Sequence, residues 1–188
     1  MQKLRDALIE VIIIILIGGL IGAVLAVVSN LFVIGVQWFG QQREASDMLS
    51  VTIAGDSVSF SSVIFLWAAA AVVVVLKTGL GIARWAGPAD SMYAAHQVNE
   101  PLDIKTGLTS TLAAFASASG GASVGQYGPI VHFGATMGIW VKRFISSRLS
   151  HEIYLGCGVA AAISAGFNAP IAGVIFAHEA ILRHFLSL

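Results

Sequence analysis

Two long charge-free stretches open the chain, one between Glu10 and Arg43 and the next between Asp56 and Lys77. Each is long enough to cross the roughly 30 Å hydrocarbon core of a bilayer as a helix. The first would reach about 48 Å as a straight helix, so we expect it to tilt strongly or to end before Arg43. A cleaved signal peptide is the alternative for this run, but the run is too long. The second span is predicted over Ser57–Leu76.

Two later charge-free stretches, Thr106–Val141 and Ile153–His178, are each interrupted by glycine and proline. The first break covers residues 117–129 and the second covers residues 165–170. Irregular backbone at membrane depth is tolerated only where it is buried in protein or lines a watery cavity, and paired broken helices are typical of transporters. With residues 85–100 read as re-entrant, the pattern predicts an all-α integral membrane protein with broken and re-entrant helices.

Composition supports the membrane assignment. Hydrophobic residues make up 57% of the 188 residues and charged residues only 11%, whereas a soluble domain carries about 25% charged residues. Ten basic residues balance ten acidic ones, which argues against a nucleic-acid partner. A single cysteine, Cys157, excludes an internal disulfide framework. We expect the lipid bilayer as a partner, and no metal or other cofactor.

The basic residues are distributed unequally between the two sides of the predicted membrane. Only Arg43 lies in the loop after the first span, at residues 43–56. The others before residue 150 fall on the opposite side: Lys3, Arg5, Lys77, Arg84, Lys105, Lys142, Arg143 and Arg148. Because positive loops stay inside, this predicts a multi-pass protein of the cell membrane with a cytoplasmic N-terminus.

Each of the four prolines lies where a helix could begin, at Pro88, Pro101, Pro129 and Pro170. Pro129 and Pro170 lead directly into apolar sequence, which predicts helices that start inside the membrane. A helix N-terminus presents free N–H groups and the positive end of the dipole, so several converging ends would form an anion site without a basic side chain. The alternative is that the breaks are kinks relieved by neighbouring helices.

Two motifs resemble those of the CLC family of chloride channels and anion/proton exchangers. Gly125-Gln-Tyr-Gly-Pro129 is similar to the family's Gly-Lys/Arg-Glu-Gly-Pro motif, and residues 160–179 are similar to its Ala-Ala-Phe-Asn-Ala-Pro stretch. The resemblance extends from about residue 85 to 185. It implies an inverted-repeat fold of which residues 1–188 form the first half, in a homodimer that passes chloride or a similar small anion. The missing second half would then belong to a longer chain, of which this is a fragment, or to a separate polypeptide; we favour the fragment.

The resemblance also implies which residues bind the anion. They are Gly87, Pro88, Gly125, Gln126, Tyr127, Gly128, Pro129 and Ile130. Pro88 stands where the family usually has a selectivity serine, and some members with proline there prefer nitrate, which leaves the preferred anion open. Asp90 is interpreted as a residue of the first turn of the same short helix.

The proton-coupling residues of the family differ in this chain. Tyr127 replaces the gating glutamate, and a neutral phenol cannot mimic an anion or carry a proton readily, although it can block the path or donate its O–H. The alternative is a tyrosine packed aside with no gating role. Glu179 matches the first glutamate of the family's inner pair and Ala180 the second, so the inner proton carrier is also missing. His178 and Glu179 remain candidates for a proton path, although a structural role for His178 is the simpler interpretation.

We therefore predict an uncoupled chloride channel of the voltage-gated CLC type. The alternatives are an exchanger of protons for chloride, nitrate or fluoride, and a non-conducting half-subunit. A serine hydrolase with Ser123 as nucleophile and His132 as base is a further candidate, from the sequence Gly-x-Ser-x-Gly. It lacks a preceding strand and a nearby acidic residue, so we expect that the protein is not an enzyme. Three glycines in the first span, Gly18, Gly19 and Gly22, predict close helix approach.

Overall fold

The computed structural model describes most of the chain, namely residues 2–46, 50–53, 56–96, 102–125, 127–145 and 149–182. These residues form helices α1 (Gln2–Ala45), α2 (Ser61–Gly79), α3 (Pro88–His96), α4 (Ile104–Ser119), α5 (Tyr127–Phe144), α6 (His151–Phe167) and α7 (Pro170–Phe176). A π-helical segment, Ala177–Leu182, continues α7. Strands β1 (Ser50–Ile53) and β2 (Asp56–Ser59) form an antiparallel hairpin between α1 and α2.

Helix α1 is continuous through 44 residues, or about 66 Å, so the expectation that it ends before Arg43 is wrong. Both α1 and α2 are long and apolar enough to cross a membrane. Their apolar side chains are largely exposed, with Leu16 at 66% and Val75 at 67%. Because a helix of this length exceeds the hydrocarbon thickness, tilting is the remaining way for a bilayer to accommodate it.

Helix α2 begins at Ser61, four residues later than predicted, because residues 56–59 pair with residues 50–53. Ser50 faces Ser59 and Ile53 faces Asp56 in this register. The alternating polar and β-branched residues of 50–53 are typical of a strand, a pattern that the charge-based reading of this loop missed.

Helices α5 and α6 pack with their backbones unusually close. A Cβ atom on Gly134 would collide with the Gly158 carbonyl, and one on Gly138 would collide with the Tyr154 carbonyl. Small residues permit this close approach between membrane helices. In α1, by contrast, no described atom outside the helix's own backbone lies within 4 Å of where a Cβ on Gly18, Gly19 or Gly22 would be, so within the described part of the chain these glycines do not make the close helix approach that was predicted.

Both predicted helix breaks are present. One separates α4 from α5 and contains Gly121 at φ 98° and Gly125 at φ 66°, a region that glycine adopts readily. The other separates α6 from α7 and contains Asn168 at φ 52°, the left-handed residue that ends α6.

The prolines mark helix starts less regularly than predicted. Pro88 and Pro170 are the first residues of α3 and α7, as expected. Pro129 is the third residue of α5, where an N–H would also have no partner within the helix. Pro101 lies outside the described residues. Helix α4 begins at Ile104, so the prediction that this helix starts at Pro101 is wrong. Asp103 caps α4 instead, accepting from the Lys105 and Thr106 N–H groups at 3.2 and 3.1 Å.

Candidate functional site

The N-terminus of α5 presents free backbone donors. The first N–H groups of a helix have no partner within it, and Pro129 contributes none. No side chain in the described ranges accepts a hydrogen bond from the N–H groups of Tyr127 or Gly128. Gln126, which the sequence also placed among the anion-binding residues, lies outside the described residues. Among the described residues, no side chain therefore compensates the positive end of the dipole at the start of α5.

Three helix ends meet at this point. A Cβ atom on Gly128 would lie 3.5 Å from Cγ of Pro88, so the starts of α3 and α5 are neighbours. The Tyr127 ring stacks on Phe167 at the end of α6, with centroids 4.3 Å apart and planes 27° apart. A Cβ on Gly166 would lie 3.0 Å from the Tyr127 ring. The two breaks of the chain are thus joined through Tyr127.

The start of α3 is already occupied by a carboxylate. The Gly87 N–H donates to Asp90 Oδ2 at 2.7 Å, and the Gly87 carbonyl accepts from the Asp90 N–H at 3.0 Å. Asp90 also pairs with Arg84. Asp90 therefore lies in the first turn, as interpreted from the sequence, and uses the Gly87 N–H that the resemblance assigned to an anion.

A basic side chain lies at the break between α4 and α5. The Arg43 guanidinium lies against Gly121, where a Cβ would come within 3.0 Å of Arg43 Cζ. Within the described ranges, no carboxylate forms an ion pair with Arg43. Sequence reasoning counted Arg43 only as a loop charge. The sequence offered one signal. Gln126 replaces the basic residue of the family motif, so this break lacks a positive charge of its own and a basic residue from elsewhere in the chain could take that place.

A cavity of about 220 Å³ lies between α3, α4 and α5. Its wall includes Gly87, Pro88, Ser110, Ser117, Pro129 and His132. His132 is buried, and its Nδ1 lies 2.8 Å from Ser91 Oγ. Ser123 is exposed on the loop before α5, and no hydrogen bond joins it to His132 in the described structure. The described structure therefore does not bring together the Ser123–His132 pair of the hydrolase alternative.

The sequence model of the family described as voltage gated chloride channel matches residues 68–188. The chain belongs to this CLC family. An H(+)/Cl(-) exchange transporter ClcA of Yersinia pseudotuberculosis is 26% identical over 186 residues, which cover 93% of this chain and 37% of the relative. A voltage-gated ClC-type chloride channel ClcB of Yersinia pestis is 23% identical over 172 residues, covering 86% of this chain and 39% of the relative.

A third CLC relative matches a shorter segment of this chain at a higher sequence identity. An uncharacterized chloride channel protein of Schizosaccharomyces pombe is 38% identical over 93 residues, covering 47% of this chain and 13% of the relative. The chain thus spans less than two fifths of the length of each of these relatives. Family membership confirms the resemblance seen in the two motifs, and the helical architecture, which departs from the predicted all-α class only by the short β1–β2 hairpin, agrees with it. The CLC relatives are membrane proteins, and α1 and α2 are candidate spans.

The matched CLC region includes all of α3 to α7 and the π-helical segment. His178 and Glu179 lie in that segment, which packs on α3 and α6. Glu179 is exposed and His178 is half-buried. A π-helical turn often marks a functional site. It also changes the direction of the side chains that follow it, and the spacing of residues in the sequence did not predict this turn.

Proposed function

We propose that this chain belongs to an uncoupled anion channel of the CLC type, which conducts chloride or a similar small anion, with Tyr127 as the gate at the outer constriction. The names of the relatives support anion transport, since they describe chloride channels and a proton/chloride exchanger. The proposed path passes the open end of α5, with Gly125, Gln126, Gly128, Pro129 and Ile130 around the anion and Gly87 and Pro88 beside them.

The position and chemistry of Tyr127 carry the proposal. Tyr127 is the first residue of α5, and its ring occupies the junction of the two helix breaks. The family motif has a glutamate at this position, whose carboxylate can compete with an anion and accept a proton. A phenol remains neutral, so Tyr127 can obstruct the path but cannot supply a proton carrier. Ala180, in place of the second inner glutamate, removes the other carrier.

A positive charge at the break that precedes α5 favours the approach of an anion over that of a cation. Arg43 lies at the break that precedes α5, and partly buried charges are screened less by salt than exposed ones. The proposal includes a homodimer, a second half of the fold that completes each path, and a cytoplasmic N-terminus. On this orientation Arg43 faces the outside, at the break that precedes α5.

A proton-coupled exchanger is the alternative, because the relative named as an exchanger aligns with 93% of this chain. Coupling would then need a relay without the two glutamates. His178 and Glu179, which lie in the π-helical segment, are the candidates for its inner end.

Electrical measurement separates the two functions. The full-length product of the gene would be reconstituted in liposomes, and its reversal potential measured under a tenfold chloride gradient with and without a pH gradient. A channel gives about 59 mV, independent of pH. A reversal potential that shifts with the pH gradient would favour the exchanger, and the absence of flux would leave a non-conducting half-subunit.

A further inference from the structure

An apolar groove of about 480 Å³ runs between α1, α2 and α4, away from the anion path proposed above. Among its described lining residues Ser119 is the one polar side chain, and the others are apolar or glycine. Val72 on α2 and Leu112 on α4 line it and remain 48% and 56% exposed. Because the core of a bilayer holds no water, an open groove of this kind is filled by hydrocarbon or by another protein segment.

The groove follows one face of α4 over the depth of one lipid leaflet. A second apolar cavity, of about 390 Å³, continues it beyond Leu112 and Phe115, which line both, as far as Leu108. From Leu108 to Gly120 the helix rises about 18 Å, compared with about 15 Å for half of the hydrocarbon core. The groove therefore has the length for a lipid acyl chain laid along α4.

A positive charge lies at the Gly120 end of this groove. The Arg43 guanidinium contacts Gly121, the residue after Gly120, and no described carboxylate forms an ion pair with it. Arg43 follows Phe39, which lines the groove, by one turn of α1. The adjacent Trp38 is 53% exposed, and tryptophan is enriched at the membrane–water interface. The mouth of the groove thus lies at the depth of the phospholipid headgroups.

Ser119 supplies a hydroxyl just inside the mouth. Its side chain is 6% exposed, and its Oγ atom has no hydrogen-bond partner in the described structure. Ser117, two residues earlier, instead donates to the Ala113 carbonyl. A buried hydroxyl without a partner is costly and is rarely retained unless a ligand or water satisfies it. In a phospholipid the ester carbonyls lie directly below the phosphate, so a lipid with its phosphate at the mouth brings an acceptor to this depth.

A phospholipid matches the groove better than an apolar helix does. A helix from the rest of a longer protein would fill the apolar length, but its backbone carbonyls are bonded within the helix and leave no acceptor for Arg43 or Ser119. A phospholipid presents a phosphate, ester carbonyls and a hydrocarbon chain in the order that the groove requires. A net negative headgroup also balances the guanidinium, which pairs with phosphate through charge-assisted hydrogen bonds.

We propose that this groove binds one glycerophospholipid with a net negative headgroup. The phosphate pairs with Arg43, an ester carbonyl accepts from the Ser119 O–H, and one acyl chain lies along α4. The site goes beyond the proposed function, because the lipid is held and not conducted. Since the phosphate offsets the charge of Arg43, a bound lipid competes with the approach of an anion to the break before α5.

Lipid titration of the full-length product of the gene tests the headgroup contact. The protein, purified in detergent, would be titrated with dioleoylphosphatidylglycerol and with dioleoylphosphatidylcholine, which has the same chains and no net charge, and bound lipid would be counted by native mass spectrometry. We expect wild type to prefer phosphatidylglycerol. Arg43→Gln should raise the Kd for phosphatidylglycerol about tenfold and abolish the preference. Lys77→Gln, which removes an exposed charge at the far end of α2, is the matched control.

Two further substitutions test the chain and the ester contact. Ala68→Phe places a ring in the groove and should raise the Kd of both lipids several-fold. Ala70→Phe, at an exposed position of α2 outside the described lining, is its control and should change neither Kd. Ser119→Ala should weaken both lipids by the same factor, because the ester carbonyl is common to them.

The outcomes decide the inference without a measurement of conduction. Equal Kd values of the two lipids for wild type, or an equal loss in Lys77→Gln and Arg43→Gln, would overturn it. A wild-type Kd in Ala68→Phe would also overturn it and show that another part of the longer protein fills the groove. Should Arg43→Gln not fold, the comparison of Ala68→Phe with Ala70→Phe still tests the site. A protein that binds the lipid as expected but gives no chloride flux would overturn the proposed function alone.

Discussion

Tyr127 combines two properties that bear on the proposed gating role. Its ring is held by stacking on Phe167, and its backbone N–H belongs to the open end of α5. In the proposed gating role, a side chain held in this way would restrict the path by its volume, whereas a carboxylate would restrict it by its charge. If Tyr127 is the gate, the chemical difference between a phenol and a carboxylate decides whether opening requires a proton.

Removal of the Tyr127 ring should increase conduction. We expect Tyr127→Ala to raise the chloride efflux rate from liposomes several-fold, because it empties the volume beside Phe167, and Tyr127→Phe to keep the wild-type rate, because it preserves the stack. Phe144→Ala, at the exposed opposite end of the same helix, is the control and should leave the efflux rate unchanged. Equal rates in Tyr127→Ala and wild type would contradict a gating role.

Individual contacts of the site were only partly predictable. Tyr127, Gly128 and Pro129 could be identified because adjacent residues form a motif. The Ser91–His132 bond spans 41 positions and joins two helices, so residue spacing contains no information about it. The same holds for Arg43 and Gly121, whose contact depends on where α1 ends relative to the break.

The contact between α5 and α6 depends on glycine at specific positions. Gly158→Ala should lower the free energy of unfolding by about 1–3 kcal/mol, because its Cβ would overlap the Gly134 carbonyl across the helix pair. Thermal unfolding in detergent measures this. Gly22→Ala is the matched control, since no described atom lies near the added methyl group, and it should be neutral or slightly stabilising. Equal effects of the two substitutions on the free energy of unfolding would show that helix propensity, and not packing, determines the stability change.

The N-cap of α4 predicts a pH-dependent stability. The hydrogen bond from the Thr106 hydroxyl, followed by the bonds from the Thr106 and Lys105 N–H groups, holds the pKa of Asp103 below its ordinary value of 3.8. A lowered pKa in the folded state means that the ionised cap stabilises the protein above the unfolded-state pKa, and that this contribution is lost as the pH falls through the folded-state pKa.

Asp103→Ala should therefore cost about 1 kcal/mol at pH 7, and the difference from wild type should shrink below about pH 4. Asp103→Asn retains an acceptor without a titrating group, so its advantage over Asp103→Ala should not vary with pH. Thermal unfolding in detergent from pH 7 to pH 3 gives both comparisons. A constant difference between wild type and Asp103→Ala across this range would contradict the assignment of the cap.

Helices were more predictable than the connections between them. Long apolar runs and glycine–proline breaks located α1, α2 and both interruptions because lipid strongly restricts unpaired backbone. The β1–β2 hairpin and the start of α4 were not found, since they depend on local pairing and on a capping carboxylate, which charge-free runs do not reveal.

The helices place the basic residues at two ends of the molecule. Lys105 Nζ donates to the Leu80 carbonyl at 2.7 Å, so the start of α4 lies beside the end of α2 and its Lys77. The start of α6 lies beside the first half of α1, where Leu149 and Ile153 lie near Ile14 and Ile17. Most basic residues in the described part of the chain thus share one end, whereas Arg43 lies at the other end, beside the break that precedes α5.

This separation predicts the orientation of the protein. Because basic loops remain in the cytoplasm, Glu44→Cys should react with a membrane-impermeant maleimide in intact cells, and Lys77→Cys should react only after permeabilisation. Both side chains are exposed, so lack of reaction would reflect membrane side and not burial. The half-buried Cys157 would be replaced by serine in both variants, and the Cys157→Ser protein alone gives the background. The reverse labelling pattern would place the N-terminus outside and turn the Tyr127 constriction toward the cytoplasm.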